Sequence, residues 1–484
     1  MNYRLCVLEN SMKKIGVFSI LFIALNIYLI SVVIGKNRFV LQENVPISTQ
    51  SGSNQIKIPL VSKELPGYYI SPNGSDSNPG TRLKPWKTIR KAALIVKPGD
   101  TVYLLGGIYI ESVRFDISGT ESNPIKIMAY PGETPIIDGQ NQLPPNYAGL
   151  VSVFGNWVQV SGLEVRNSKY IGLGLYGKHD SANNIFAHHS QKSGIYIGGD
   201  FGVVENSRIW RNSLQHEFGN GSSWSSGLIA GRDTTDGLTE YAIMRKNIIW
   251  ENWGQGINTY ESNQTKMEDN ISHDNSVTNI YISDSTNVLC QRNFVYMTPG
   301  SIVHGIDANV GIMMGDEVYT PSSANIKVIN NISFGNNLNF ALWKGTQQRG
   351  MNDVLIANNT FVNGIETGGV VIRGYHQYVR FENNIVQQDG PLPVIAIDLD
   401  PDVSFSNNLW SKTPPSEVLS PGDVIGDPKL AQTGEPYEPD WFRLTDQSPA
   451  IDKAQIISEI VNDYFGTFRG GYPDIGAIEY FPVK

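Results

Sequence analysis

The chain is short of cysteine, of charge and of any helical pattern. Its 484 residues include two cysteines, Cys6 and Cys290, on opposite sides of the one long apolar run. A disulfide framework and a cysteine-based metal site are thereby excluded. Charged residues make up 17% of the chain while glycines number 48, a composition that fits neither a coiled coil nor a helical bundle. Positive charge is scarce as well: 37 Lys and Arg face 46 Asp and Glu, a net charge of −9. A nucleic-acid partner needs a positive field for its phosphates, so none is expected. The 40% of hydrophobic residues suffice for the core of one large elongated domain or two ordinary ones.

The apolar run, Ile15 to Gly35, follows Lys13 and Lys14. As a helix it would reach roughly 31 Å, close to the thickness of a bilayer core. It ends Ser31-Val32-Val33-Ile34-Gly35 without a small-x-small cleavage site. It therefore reads as an uncleaved signal anchor, with a cleaved signal peptide as the alternative. Residues 1–14 are then a cytoplasmic N-terminus. Residues 36–66, rich in Ser, Gln, Asn and Pro, read as a flexible linker. Everything after them is expected outside the membrane.

From about residue 160 the chain repeats itself. An Asn slot recurs at Asn184, Asn247, Asn270, Asn293, Asn331, Asn359, Asn384 and Asn408, with Ser207 filling one further slot, and the uninterrupted steps are 23 to 25 residues. An apolar residue stands three positions earlier in each later unit, as in Val204, Met244, Met267, Cys290, Val328, Ile356, Phe381 and Phe405. Short alternating segments at this period predict one coil of three short strands per repeat. The Asn residues should stack as an internal ladder from Asn184 to Asn408, each amide bonding the turn and its neighbours. Cys290 falls in a core column and reads as a small buried hydrophobe.

The repeat resembles the right-handed parallel β-helix, or pectate-lyase-like, superfamily over roughly residues 67–480. The opening Tyr69-Ile70-Ser71-Pro72-Asn73-Gly74, followed by Pro98-Gly99-Asp100-Thr101-Val102 and Ala129-Tyr130-Pro131-Gly132-Glu133, is similar to extracellular members. The ending, Ser448-Pro449-Ala450-Ile451-Asp452 with Asp474-Ile475-Gly476-Ala477-Ile478-Glu479, is similar to the closing segment often called choice-of-anchor Q. The expected fold is all-β: a right-handed parallel β-helix over 67–420, with a C-terminal closing segment over 421–484. Residues 86–96 read as a short helix, which the resemblance would make an N-terminal cap over an otherwise open strand edge.

In that superfamily the substrate groove lies on the strand opposite the ladder turn. Counting eight to ten residues past each slot, more where a loop intervenes, aligns Gly256-Ile257-Asn258-Thr259-Tyr260, Asn279-Ile280-Tyr281-Ile282-Ser283, Gly311-Ile312-Met313-Met314-Gly315 and Asn339-Phe340-Ala341-Leu342-Trp343, among others. Alternation buries Ile257, Ile280 and Ile312 and turns out Asn258, Tyr260, Tyr281, Trp343 and Arg373, predicted substrate-binding residues with flat faces for sugar rings. The next residue in each segment forms a column: Arg232, Glu261, Asp284, Asp316, Lys344. Coils stack about 4.8 Å apart, and at that spacing unit charges repel by roughly 1 kcal/mol in water and 3–4 kcal/mol at an effective dielectric near 20. Such a line would raise its own pKa values, recruit a cation such as Ca²⁺, or be neutralised by Arg232 and Lys344.

Three functions follow. A polysaccharide lyase on a uronate-containing glycan would use Glu261, Asp284 and Asp316 for Ca²⁺ and Lys344 or Arg232 as the base. A glycoside hydrolase would use two of the carboxylates. A non-catalytic surface protein would only bind the glycan. No Asp-Pro-His-Asp string of the mannuronan epimerase type occurs, nor a Gly-His-Gly with Arg-Ile-Lys of the polygalacturonase type. The expected partner is a polysaccharide; the protein is expected to be a monomer, exported and held at the membrane by residues 15–35 or secreted.

Overall fold

The computed structural model describes residues 64–482, apart from 220–223, 233–236, 318–321, 344–348, 367 and 399–401. The apolar run 15–35 and the linker up to residue 63 lie outside the described residues. Among the described residues no helix is long and apolar enough to cross a membrane.

The described chain winds into a right-handed parallel β-helix of about 12 turns. Its strands form three long parallel sheets, one of 13 strands from Tyr68–Ile70 to Val403–Ser406, one of 11 strands from Val113–Phe115 to Ile395–Ile397, and a second of 13 strands from Gly107–Tyr109 to Val424–Ile425, besides the short parallel pair Thr239–Glu240 and Ser262–Asn263. The long sheets are called sheets 1, 2 and 3. Each coil passes through sheet 1, then sheet 3, then sheet 2; Lys266–Glu268, Ile271–His273 and Thr278–Ser283 are one such passage. The strands are short because inward positions must fill a narrow interior and outward ones meet solvent, and only the alternating residue reaches the core. The predicted core column is in register: Val204 pairs with Met244, Met244 with Met267, Met267 with Cys290 and Cys290 with Val328. All are fully buried. Burial pushes the Cys290 thiol up to about 12, so it is an unreactive packing residue.

The turn between sheets 1 and 3 holds the Asn ladder. The side-chain amide of Asn247 donates to Asn270 Oδ1 (3.1 Å), Asn270 to Asn293 (3.0 Å), Asn293 to Asn331 (3.0 Å) and so on through Asn359 and Asn384 to Asn408. Ser207 continues it upward, its N–H donating to Asn247 Oδ1, and Asp423 ends it by accepting from the Asn408 N–H. Asn184 is not a member. The register places Ile185 in the slot, its N–H donating to Ser207 Oγ, and Asn184 one residue earlier in the left-handed region at φ 52°. Asn suits that conformation as well as the ladder, so an Asn-Asn-Ile string alone does not say which role is filled. The turn between sheets 3 and 2 carries a second ladder, Asn212–Asn252–Asn275–Asn279–Asn336–Asn339. The third turn carries Ser262, Ser285 and Ser323.

The predicted helix is present as Ile89–Ala93, shorter than 86–96, with the Thr88 hydroxyl accepting from the Lys91 N–H. Its Ile89, Ala92 and Ala93 join the core. The C-terminal segment does more than follow the last coil. After Val424–Ile425 it runs over the outer face of sheet 3, where Phe442, Leu444 and Ile475 pack on Phe294, Ile332, Val362, Ile385 and Leu409. It also reads the outer residue of the Asn-Asn pairs in the last four coils of the ladder: Asn330, Asn358, Asn383 and Asn407 donate to the carbonyls of Asn462, Asp474, Gln455 and Lys453. Arg469 is buried there, donating to Asn330 Oδ1 and the Gly476 carbonyl at 2.8 Å and paired with Glu479. Burial pushes Glu479 up to about 7.

Candidate active site

The outer face of sheet 2 brings the predicted column together. Tyr260 pairs in register with Ser283, and Ser283 with Gly315, so Glu261, Asp284 and Asp316 follow one another on three successive coils. Gly231 pairs with Tyr260, which sets Arg232 beside Glu261 on the preceding coil. Glu261 and Asp284 both take left-handed φ values of 49°, the bend by which the chain leaves the sheet and lifts its carboxylates to the rim. Lys344 lies outside the described residues; Trp343 just before it does not, and its N–H donates to the Met314 carbonyl.

The three carboxylates differ in their partners. Glu261 is buried and its Oε2 meets Arg232 Nη1 at 3.4 Å. Asp284 is fully buried: Oδ1 accepts from the Glu317 N–H (2.8 Å) and Oδ2 from the Ser283 hydroxyl. Asp316 Oδ1 accepts from the Ser323 N–H at 3.3 Å, but its buried Oδ2 meets no hydrogen-bond donor among the described residues. Burial, and then the charge of neighbouring Asp284, raise the Asp316 carboxyl above the usual carboxylate range.

Among the described residues no three His, Cys, Asp or Glu side chains cluster in a way that could hold a metal ion. Glu261 is turned to Arg232. The carboxylates left for a cation are Asp284, buried with both oxygens already accepting hydrogen bonds, and Asp316, whose orphaned Oδ2 fits an oxygen-seeking cation such as Ca²⁺. The same atom also fits a proton shared between the two carboxyls.

The predicted substrate-binding residues point away from the coil interior, but most are not open to solvent. Asn258 is 6% exposed and Tyr281 7%, whereas Trp343 is 47% exposed. Tyr281 is a correction to the expected open platform. Its ring lies over Gly315 of the next coil, where a Cβ would sit 2.5 Å from the hydroxyl, and its hydroxyl donates to Glu317 Oε1 at 2.6 Å. Tyr260 is half-buried beside Glu261, and Arg373 pairs with Asp398 at 3.3 Å. The Asn258 Oδ1 is buried without a partner among the described residues.

Residues that the column alone does not reveal complete the site. Glu317, adjacent to Asp316, ties Tyr281 to Asp284, and Arg349 donates to its carbonyl at 3.2 Å. The Gly-Asp-Glu string at 315–317 was the available signal. Tyr196, three strands before Tyr281, donates to the Arg232 carbonyl at 2.7 Å and fixes that turn. Two long loops border the face and are pinned together: His216 Nε2 meets Asp307 Oδ2 at 3.1 Å, and Ser276 donates to the same oxygen at 2.9 Å.

The coil of three long parallel sheets has counterparts among known proteins. A family profile described as "Pel9A-like, right handed beta helix region" matches residues 68–287, a span that holds Arg232, Glu261 and Asp284. Pectate lyase L of Dickeya chrysanthemi is 25% identical over 470 residues, covering 92% of this chain and 97% of that protein. Pectate lyase PEL9 of Emericella nidulans is 30% identical over 211 residues, 40% of this chain and 49% of that one. Among solved structures, the complex of XylC with xylose aligns with a TM-score of 0.60 at 12% identity, covering 86% of this chain and 98% of that one. The crystal structure of pectate lyase Pel9A aligns with a TM-score of 0.51 at 19% identity, covering 86% and 96%. The structural likenesses establish the fold. The family profile and the sequence relatives support the pectate-lyase-like superfamily and an enzyme of the pectate-lyase-like type.

Proposed function

We propose that this chain is an exported polysaccharide lyase that cleaves a uronate-containing glycan, of the pectate type, by β-elimination. The observation that carries the reading is the Arg232–Glu261–Asp284–Asp316 column on the rim of sheet 2, in a chain whose pectate lyase relatives span nearly its whole length. β-Elimination removes the proton α to the uronate carboxylate. The electron pair becomes a carbon–carbon double bond and the neighbouring glycosidic oxygen leaves, taking a proton from solvent. The carboxylate must be neutralised for the carbanion-like state to be reached. Arg232 is a guanidinium paired with Glu261, and guanidiniums are suited to neutralising charge rather than to taking a proton. Lys344, which the sequence offset assigns to the same column, is the proposed base. Bound Ca²⁺, held by Asp284 and Asp316, would supply further positive charge to the substrate carboxylate. Trp343 offers its exposed ring to a sugar face.

One observation serves a second reading. Asp284 and Asp316 are neighbouring carboxyls on adjacent coils, with Asp316 raised above the usual carboxylate range by burial and then by the charge of Asp284, and a retaining glycoside hydrolase also pairs two close carboxyls. Polygalacturonate, alginate and neutral galactan, each incubated with and without chelator, separate the two. The lyase reading expects ultraviolet absorbance from unsaturated uronate ends, lost in Lys344→Ala and reduced by chelator. New reducing ends without that absorbance would transfer the site to the hydrolase, and binding without turnover would leave a glycan-binding protein.

A further inference from the structure

The groove face does not end at the acidic column. Toward the N-terminal end of sheet 2 a cavity of about 360 Å³ opens on the same outer face. Arg90 reaches it from the short helix, Arg114 from the strand Val113–Phe115, Ser152 and Phe154 from the next strand and its end, and Asn146 from the loop before that strand. No acidic side chain lines it. The Arg90 guanidinium is fixed by donating to the Ser112 carbonyl at 3.3 Å. Arg114 is fixed twice, by Asp116 at 2.7 Å through Nε and by lying 3.7 Å over the Phe154 ring.

From that cavity a track of aromatic rings runs toward the column. Phe154 stacks on Tyr176 with centroids 4.7 Å apart at 20°, and Tyr176 meets Tyr196 at 5.9 Å. Glycine makes room for these rings to lie on the sheet: a Cβ at Gly174 would fall 2.4 Å from the Tyr176 ring. Tyr196 in turn donates to the carbonyl of Arg232. Cavity, track and column are therefore continuous over four strand spacings, from Phe154 to Glu261, about 19 Å.

We propose that the cavity is a distal subsite for an anionic sugar ring of the same chain that reaches the column, with Arg90 and Arg114 meeting its carboxylate, Phe154 holding Arg114 in place from beneath, and the edges of the stacked Phe154 and Tyr176 rings flooring the path between. Charge complementarity favours this occupant: Arg90 spends its guanidinium on a backbone carbonyl only, Arg114 shares its Nε with Asp116 and keeps its other N–H groups, no acidic side chain is in the lining itself, and a polyuronate presents a carboxylate on every ring. A ligand too short to bridge 19 Å can occupy only one end, so the subsite selects for length. The inference rests on the polyuronate reading above and deepens it.

The test uses the full chain and two probes, a galacturonate trimer and a galacturonate octamer, in titration calorimetry and in kinetics. Arg114→Gln and Phe154→Ala are the variants, with Phe201→Ala on the turn outside the groove as control; thermal melts verify that each is folded. Expected is an increase in octamer Kd and KM of about tenfold, near 1.4 kcal/mol, with kcat and the trimer constants unchanged and the control like wild type. Octamer constants unchanged in both groove variants, while the wild type cleaves polygalacturonate, would overturn the subsite and leave the lyase reading intact. Octamer binding weakened in Arg114→Gln on a protein that cleaves nothing would keep the subsite and overturn the lyase reading. A wild type that binds no uronate octamer overturns both.

Discussion

Two columns run along this molecule, each built from one position repeated coil after coil, and they obey opposite rules. In the Asn ladder every carboxamide is both donor and acceptor. Asn293 donates to Asn331 Oδ1 and to the Met267 carbonyl while its own Oδ1 receives the Asn270 amide. Such a stack extends indefinitely without a mismatch, and it does so through a fully buried turn. The column Glu261–Asp284–Asp316 stacks groups that only accept. Each carboxylate needs a different remedy: Arg232 for Glu261, the Ser283 hydroxyl and Glu317 N–H for Asp284, and a raised pKa with an orphaned oxygen for Asp316. A repeated position is thus stabilising when the side chain is self-complementary and unstable when it is not. The unstable column is the one left able to bind something else.

Exchanging the chemistry of the two columns tests that contrast most severely. Asn293→Asp should cost about 3–5 kcal/mol in urea unfolding, because a buried carboxylate would face the Met267 carbonyl and Asn331 Oδ1. Asn293→Ala should cost less, about 2–3 kcal/mol. If the two variants melt alike, self-complementarity is not what the ladder contributes.

The converse exchange, Asp316→Asn, should lower turnover of polygalacturonate at least about tenfold, or roughly 1.4 kcal/mol of barrier. It should leave the fold as stable as before or slightly more so. Because the folded-state pKa of Asp316 is raised, its contribution to stability is greatest at acid pH and falls as pH rises through that value. The gain from Asp316→Asn should therefore appear on the alkaline side and vanish at acid pH.

Asp180 sharpens the same point without any catalytic role. Burial pushes it up to about 8, while Oδ1 accepts from the Val158 N–H at 2.9 Å. Between the ordinary carboxylate value near 4 and about 8 the unfolded chain releases a proton that the folded one keeps, so stability falls across that window. Asp180→Asn should flatten the dependence and gain on the order of 1–2 kcal/mol at pH 8, read as a difference in melting between pH 4 and pH 8. The smallest effect concerns the cation: chelation should reduce turnover yet move the melting temperature by no more than a degree or two, since the ladders carry the fold.

Much of this was legible from the residues, and the failures have physical causes. The 23-residue step and its apolar partner identify the coil because the interior admits one residue type per slot. The column was legible because equal offsets in a coil mean equal places around it. Asn184 was misplaced by one, since Asn serves equally as a left-handed turn residue and as a ladder amide. The second ladder was hidden by the long loops that break its spacing and by Asn279, which joins it from within the strand of sheet 2. Burial at Tyr281 was not legible at all, because what covers its ring is decided by Gly315 and Glu317 on another coil. The course of the C-terminal segment escaped for the same reason, its contacts lying 46 to 139 residues away in sequence.

That segment gives the molecule a direction. A stack of coils held only by nearest neighbours can fray from either end, but here the last coils are sewn together by a strand of chain that crosses them on the outside. Asn330 and Arg469 meet across 139 positions, and the outer Asn of four consecutive coils is engaged in the same way. The seam cannot close until the final residues are made, so a chain cut short before residue 440 would bare Phe294, Ile332 and Val362 as an unsheltered stripe. Once closed, it leaves the N-terminal coils as the end where hydrogen exchange and proteolysis begin.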